Sequence, residues 1–487
     1  MRFIDDKSLE RLGFKKLLSR VETLSPYGKS KLKGLKNYLR GEEDLLEEEF
    51  NKMETFMEFS SNNRDIVRNV EGIIHRLKDI KTAINNCLKE HILDEVDLFE
   101  IKAQALLMEE MNEYLKEFPS ELHDFLLKDV SRVIKALDPD NDRTPTFYIY
   151  ESYSPELREI REKKKGIEKE IYASNDFDEI TQLKEERLKV LVEEERVELE
   201  IKKKLTSILY DEAEDFLENI EKIGNLDFLM AKVRFAKTYG GIRPEISKNY
   251  EIDVKGLVNI EVREVLEAKS RPFTPIDISI GSGVTIITGA NMGGKSVALK
   301  TITENLLLFH MGFFVIAEEA KFPLIDFVFF ISDDMQDISK GLSTFGAEIM
   351  KLKEVNVFLD LGIGFVVFDE FARGTNPKEG QKFVEALAKY LNDRPTISLM
   401  TTHFDGIVRE GMNHYQVVGL KNVDFNKLKT KIELSSNSMG LIQEYMDFRL
   451  EKAGKEEVPK DALNIAKLIG IDKRFTEIIL DEYIKED

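Results

Sequence analysis

The sequence predicts a multidomain chain. An all-α N-terminal half carries a long helical arm, and an α/β half follows. Three observations carry this. From about residue 271, short apolar runs alternate with helical patterns and glycine becomes denser, as expected of a parallel sheet with crossover helices. Within that half, Val284 to Thr288 is an apolar, β-branched run of the kind buried in a parallel sheet. Gly289-x-x-x-x-Gly294-Lys295-Ser296 follows it, then a pattern that reads as an amphipathic helix through Leu308. Upstream, about half of the residues from Glu156 to Lys204 are charged, in mixed sign and at helical spacing.

Bulk composition bounds the rest. A chain of 487 residues has room for roughly two to four domains, and 42% hydrophobic residues can supply real cores. No apolar run reaches the ~18 residues of a membrane helix. Met1-Arg2-Phe3-Ile4-Asp5-Asp6 lacks a signal-peptide pattern, so a cytoplasmic location without a membrane partner is expected. A single cysteine, Cys87, excludes an internal disulfide and a cysteine-based zinc site. Asp and Glu number 91 against 71 Lys and Arg, a net charge of −20. A dedicated duplex-binding surface needs a basic footprint, which this balance opposes unless the footprint is local.

Residues 1–155 read as a helical core. Leu9, Leu12, Leu17, Leu18, Val21 and Leu24 predict a helix that ends at a break, Ser25-Pro26-Tyr27-Gly28. Ile73, Ile74, Leu77, Ile80 and Ile84, then Leu93, Val96, Leu98 and Ile101, continue the pattern. Pro139 to Asp142 marks a turn, and Phe147 to Tyr150 reads as a short strand. Ser154-Pro155-Glu156 opens a helix, with serine as N-cap and proline at the first position. Residues 156–225 form the arm. Ile180, Leu183, Val190, Val197, Ile201 and Leu205 trace an apolar stripe interrupted at Arg187 and Glu194. Ala173 to Asp176 breaks the helix once, which predicts two long antiparallel helices. Residues 226–270 read as a connector with a loop at Gly240 to Pro244, and 271–420 as the nucleotide-binding domain. Residues 421–487 read as mostly helical, with Ala462–Gly470 and Phe475–Tyr483 forming a helix–turn–helix.

The site chemistry follows from residue types. Glycines let backbone N–H groups close around phosphate oxygens, and a helix N-terminus adds partial positive charge. Lys295 is suited to reach the β and γ phosphates of ATP, and the Ser296 hydroxyl to ligate Mg²⁺. Phe365 to Phe368 is a buried-strand pattern ending in Asp369-Glu370. Asp369 is placed for the Mg²⁺ shell, and Glu370 to orient or deprotonate the attacking water. Thr401-Thr402-His403 ends a further strand, where His403 is expected to sense the γ phosphate.

Several stretches together resemble the ATPase domain of the MutS mismatch-repair family. They are Gly289-Ala290-Asn291-Met292-Gly293-Gly294-Lys295-Ser296, Leu342-Ser343-Thr344-Phe345, Asp369-Glu370, Arg373-Gly374-Thr375 and Thr402-His403. Thr375 to Gly380, Leu9 to Leu32, Ser154 to Arg158 and Leu226-Asp227-Phe228 are similar to the second MutS subfamily. The resemblance spans almost the whole chain and is strongest over 271–410. It implies an ABC-type P-loop ATPase working as a homodimer, with two nucleotides at the interface. Gly289, Asn291, Met292, Gly293, Gly294, Lys295, Ser296 and Val297 would surround the nucleotide in cis. Ser343 would reach the partner's γ phosphate in trans, and the C-terminal helix–turn–helix would serve dimerisation.

Against that pattern, the expectation is a chain without the mismatch-reading domain and the C-terminal nuclease domain, its clamp reduced to the turn near Tyr172 to Phe177. Ser332 to Gly341 is about one residue longer than the family pattern, and its carboxylates receive no role. Two functions follow. One is an ATP-driven switch in DNA repair acting on duplex or branched DNA. The alternative is a protein remodeller, such as the ATPase component of a cobalamin-dependent aminomutase reactivase, which the plan of the chain also resembles.

Overall fold

The computed structural model describes residues 3–289, 293–332 and 344–420 and, further on, 423, 428, 445–454, 471–472 and 474–479. The helices are α1 (Asp6–Arg11), α2 (Phe14–Leu18), α3 (Pro26–Lys33), α4 (Glu43–Asn62), α5 (Arg64–Arg76), α6 (Lys81–Leu88), α7 (Glu95–Leu115), α8 (Ser131–Leu137), α9 (Pro155–Ala173), α10 (Phe177–Tyr239), α11 (Ile260–Glu267), α12 (Lys295–His310), α13 (Thr344–Leu359) and α14 (Pro377–Asn392). The strands are β1 (Glu245–Ile246), β2 (Ile252–Leu257), β3 (Ile276–Ile280), β4 (Gly283–Thr288), β5 (Glu319–Phe322), β6 (Phe327–Ser332), β7 (Gly364–Asp369), β8 (Ile397–Thr401), β9 (Asn413–Gly419) and β10 (Asp447–Lys452). One compact unit comprises Met1–Val21, Lys36–Asn51 and Arg234–Asp487, and the other Glu22–Leu35 and Lys52–Val233. Among the described residues, no helix is long and apolar enough to cross a membrane.

The first unit contains two sheets. The larger runs β10-β9-β4-β8-β7-β6, with β10 antiparallel to β9 and the other neighbours parallel. Every residue of β4 and β8 is buried, as a parallel sheet covered on both faces requires. On one face Val284, Ile286, Val366 and Met400 pack with Val355 of α13 and Leu387 and Leu391 of α14. Helix α12 lies on β7 and β8. Its Phe309 ring also stands 5.6 Å from Phe322 of the second sheet, whose order is β1-β5-β2-β3. With walls on both sides, α12 is buried almost all round, which corrects the amphipathic reading. A second correction concerns 447–452. These residues lie in the segment read as mostly helical, yet they form β10, because pairing with β9 satisfies their main-chain groups. Ala462–Gly470 lies outside the described residues, and within Phe475–Tyr483 residues 475–479 are helical.

The interior of α12 holds a titratable group. Glu304 is buried, and its Oε2 accepts a hydrogen bond of 2.8 Å from Asn259 Nδ2. Burial pushes its pKa up to about 8, against an ordinary 4.5. Between those values the folded chain holds a proton that the unfolded chain has released, so stability falls as pH rises from about 4.5 to about 8. Glu304→Gln is expected to flatten that slope and to raise the melting temperature at pH 8. Identical melting profiles for variant and parent over this range would remove the assignment.

In the second unit, the helix start at Ser25 replaces the expected break. Ser25 Oγ accepts from Gly28 N at 3.0 Å, and Pro26 takes the first helical position. The run from Leu9 divides further upstream at Gly13, whose φ is +73°. Asp227 holds the Ser25 corner, accepting from Ser25 N at 2.7 Å and Ser25 Oγ at 2.6 Å. A Cβ at Gly28 would lie 2.2 Å from Asp227 Oδ2, so this corner requires glycine. Residues 147–150 form no strand. Tyr150 is buried, its hydroxyl accepts from Lys102 Nζ at 2.8 Å, and a 3-10 turn, Glu151–Tyr153, follows.

The arm follows its apolar stripe. α9 and α10 run antiparallel, joined across 174–176, and α10 continues past 225 to Tyr239, through the start of the expected connector. Val190, Val197, Ile201 and Leu205 are buried. The two interruptions are ion pairs: Arg187 with Glu168 at 2.8 Å, and Glu194 with both Arg161 and Lys164. Arg161 also reaches Glu198 at 2.8 Å. Glu194 is 5% exposed, so its removal leaves two cations facing an apolar seam. Glu194→Ala is expected to weaken the arm by about 2–4 kcal/mol. Glu156→Ala, at an exposed pair with Arg196, should cost under about 1 kcal/mol. Hydrogen exchange of amides 157–205 checks this, and equal protection in the two variants would contradict it.

Candidate functional site

The parallel strands deliver three sets of side chains to one end of the larger sheet, the ligand end in open α/β folds. β4 leads to Gly289, whose φ is +143° and whose added Cβ would lie 2.9 Å from Val417 Cβ. Gly294, at φ +84°, is the N-cap of α12. Lys295 opens α12, and its buried Nζ donates to Gly289 O at 2.9 Å and stands 3.4 Å from Glu370 Oε1. Burial holds the Lys295 ammonium below its ordinary pKa, and Glu370 opposes that shift. Ser296 follows Lys295 in α12 and lines the same pocket as Asp369.

β7 and β8 supply the acidic side. Asp369 ends β7, and its Oδ1 accepts from Thr401 Oγ1 at 2.8 Å. The same Thr401 oxygen accepts from Glu370 N at 3.0 Å. Burial raises the Asp369 pKa, while Ser296 and Thr401 pull it down. Glu370 (φ +51°) and Ala372 (φ +62°) both occupy the left-handed region, at a cost of order 1–3 kcal/mol each. Thr401 steadies the start of this turn, and Glu348 Oε2 accepts from Ala372 N at 3.0 Å. Glu370 Oε2 accepts from Arg373 at 2.7 Å. His403 is exposed, with its ring centroid 4.3 Å from that of Phe404. Partial burial lowers its pKa and Glu370 opposes the change.

Arg11, Ser296, Lys300, Ser332, Asp369, Glu370 and Arg373 line a polar pocket of about 220 Å³. An apolar cavity of about 360 Å³ adjoins the glycine segment at Gly294 and Val297, with Phe273, Ile276 and Phe448 in its wall. Among the described residues, no cluster of three or more His, Cys, Asp or Glu is placed to hold a metal by itself. The Ser296 and Asp369 oxygens nevertheless fit Mg²⁺, which takes one or two protein oxygens and completes its shell with phosphates and water. A cation there would also remove the desolvation penalty on Asp369.

The structure therefore brings Gly289, Gly293, Gly294, Lys295, Ser296, Val297, Asp369 and Glu370 to one region. Asn291, Met292 and Ser343 lie outside the described residues. Sequence reasoning missed Arg11, Lys300, Glu348 and the Phe273–Phe448 cavity. Glu348 had a signal: a carboxylate on a helix face otherwise apolar at Phe345, Ile349 and Leu352. Lys300 lies one turn after Ser296 on α12, while Arg11 and the Phe273–Phe448 pair had no local signal, since their contacts span distant segments.

The family model of MutS domain V matches residues 285–470. The chain is also similar to proteins named endonuclease MutS2. That of Shouchella clausii is 28% identical over 302 residues, covering 59% of this chain and 37% of that protein. That of Halothermothrix orenii is 33% identical over 217 residues, covering 44% and 26%. That of Geobacillus sp. is 29% identical over 300 residues, covering 61% and 35%. Residues 285–470 are a MutS domain V. The matched segments span between about a quarter and somewhat over a third of the length of those MutS2 relatives. The domain V match begins in β4 and takes in Lys295, Ser296, Asp369, Glu370 and His403, whereas Arg11 lies outside it.

Proposed function

We propose that this chain is an ATPase that binds ATP with Mg²⁺ at the carboxyl end of its larger sheet and couples hydrolysis to a change of conformation in a homodimer. One observation carries the reading: Lys295 and Ser296 at the start of α12 share a site with Asp369 and Glu370 at the end of β7. The residues have distinct tasks. The glycine segment and the α12 N-terminus hold the phosphates as a P-loop. Lys295 neutralises the transferred group, and Ser296 with Asp369 holds the metal. Mg²⁺, when bound, neutralises charge on the phosphate oxygens. Glu370 orients the attacking water and takes its proton at a carboxylate oxygen. The apolar cavity beside Gly294 and Val297 takes the base, with Phe273 and Phe448 offering ring faces. His403 reports on the terminal phosphate, and Ser343 completes the partner's site in trans. Titration with fluorescent ATP and ADP, with and without Mg²⁺, tests the reading. Failure to bind either nucleotide ends it.

The physical substrate we assign is duplex or branched DNA, the class suited to a MutS-family role in DNA repair. The nuclease activity in the relatives' name is not carried over, because the matched segments cover too little of those proteins. DNA is expected to stimulate the ATPase, with binding that weakens steeply as salt rises. A second reading, a protein remodeller of the aminomutase-reactivase kind, has one observation in its favour. The net charge is −20, and Arg161, Lys164, Arg187 and Arg196 of the arm are already paired with arm carboxylates. An ATPase rate unchanged by homoduplex, mismatched and branched DNA at low salt moves the assignment to it.

A further inference from the structure

Arg11 belongs to no motif, yet it lines the pocket that also holds Ser296, Lys300, Asp369 and Glu370. Its position is built. β6 is the last strand of the larger sheet, and Val328 N on that strand donates to Phe3 O at 2.7 Å, so the N-terminal segment covers an otherwise open edge. The Phe3 ring stands 4.5 Å from His310. Asp5 caps α1, accepting from Ser8 N at 3.0 Å, and its carboxylate is 3.1 Å from Lys351 Nζ of α13. Ser8 Oγ donates to Phe330 O at 3.4 Å. These contacts aim the last residue of α1 at the pocket.

The charges there have different employment. Glu370 engages Lys295 and Arg373, and Asp369 engages Thr401. The half-buried Arg11 guanidinium makes no hydrogen bond or ion pair among the described residues. Among the described residues, four cations (Arg11, Lys295, Lys300, Arg373) face two carboxylates, an excess suited to a phosphate ligand. A guanidinium meets phosphate oxygens through two parallel N–H bonds. Arg11 shares the metal side of the site and not the base cavity, so it faces the far end of the triphosphate.

We propose that Arg11 binds the terminal phosphate of ATP, so that docking of the N-terminal segment on β6 reads whether that phosphate is present. The proposal rests on the nucleotide assignment above. Its test is equilibrium binding of a non-hydrolysable ATP analogue and of ADP, each with Mg²⁺, to the full chain and to Arg11→Gln and Arg11→Lys. Arg11→Gln should lose roughly tenfold or more in affinity for the analogue, the size expected of charged hydrogen bonds, and stay within about twofold for ADP. Arg11→Lys should recover part of the loss. In the parent chain the analogue, but not ADP, should slow hydrogen exchange of amides 3–12, and Arg11→Gln should abolish that difference. Retained ADP binding reports a folded variant. If Arg11→Gln does not fold, Arg11→Lys decides by the same loss of preference for the analogue. Unchanged binding of the analogue, or equal losses for both nucleotides, overturns the proposal while leaving the nucleotide site standing. A parent chain that binds neither nucleotide overturns both.

Discussion

Lys295→Ala is expected to lower ATP affinity by about 100-fold or more, and turnover with it. The lysine is 4% exposed and fixed at both ends of its reach, by Gly289 O and by Glu370. Its replacement removes a buried positive charge from the phosphate site and leaves Glu370 without its inner cation. Breaking one side of a buried, hydrogen-bonded charge pair costs about 3–5 kcal/mol, which corresponds to roughly two to four powers of ten. Calorimetric titration with ATP in the presence of Mg²⁺ measures the effect. An alanine variant that binds ATP as the parent does would show that the phosphates lie elsewhere.

Glu370→Gln should separate binding from chemistry. The amide preserves the shape of the side chain and an acceptor oxygen for Arg373, so the left-handed turn and the Thr401 bond to Glu370 N should persist. What it loses is the ability to take a proton from water. Turnover is expected to fall by about 10²–10⁴-fold, with ATP affinity within a few-fold of the parent. An ATP-bound dimer should then accumulate and be visible by size-exclusion with light scattering. Hydrolysis at the parent rate would overturn the role given to this carboxylate, and a monomer at saturating ATP would overturn the dimer.

The arrangement of the site was legible in unequal parts. Lys295 and Ser296 follow a strand and open a helix, and Asp369 and Glu370 end a strand, each placed by its own neighbours. Thr401 was visible as a polar strand end, but its double engagement with Asp369 Oδ1 and Glu370 N depends on β8 lying beside β7. Glu348 and Arg11 reach the site from helices that lie well before Glu370 along the chain. No local pattern records such a meeting.

Local sequence by itself determined the β4 strand with its glycine segment, the serine N-cap of α9, the antiparallel arm and the acidic end of β7. In each case the deciding interactions lie within a strand, a turn or a helix face, where periodicity and capping chemistry act. Tertiary structure alone decided that α12 is buried on both sides, that 447–452 is an edge strand, that Asp227 holds the Ser25 corner, and that the N-terminal segment closes the edge of β6. Those outcomes rest on burial and hydrogen bonds between segments remote in sequence. Such contacts exist only once the sheets have formed and their edges and faces need partners.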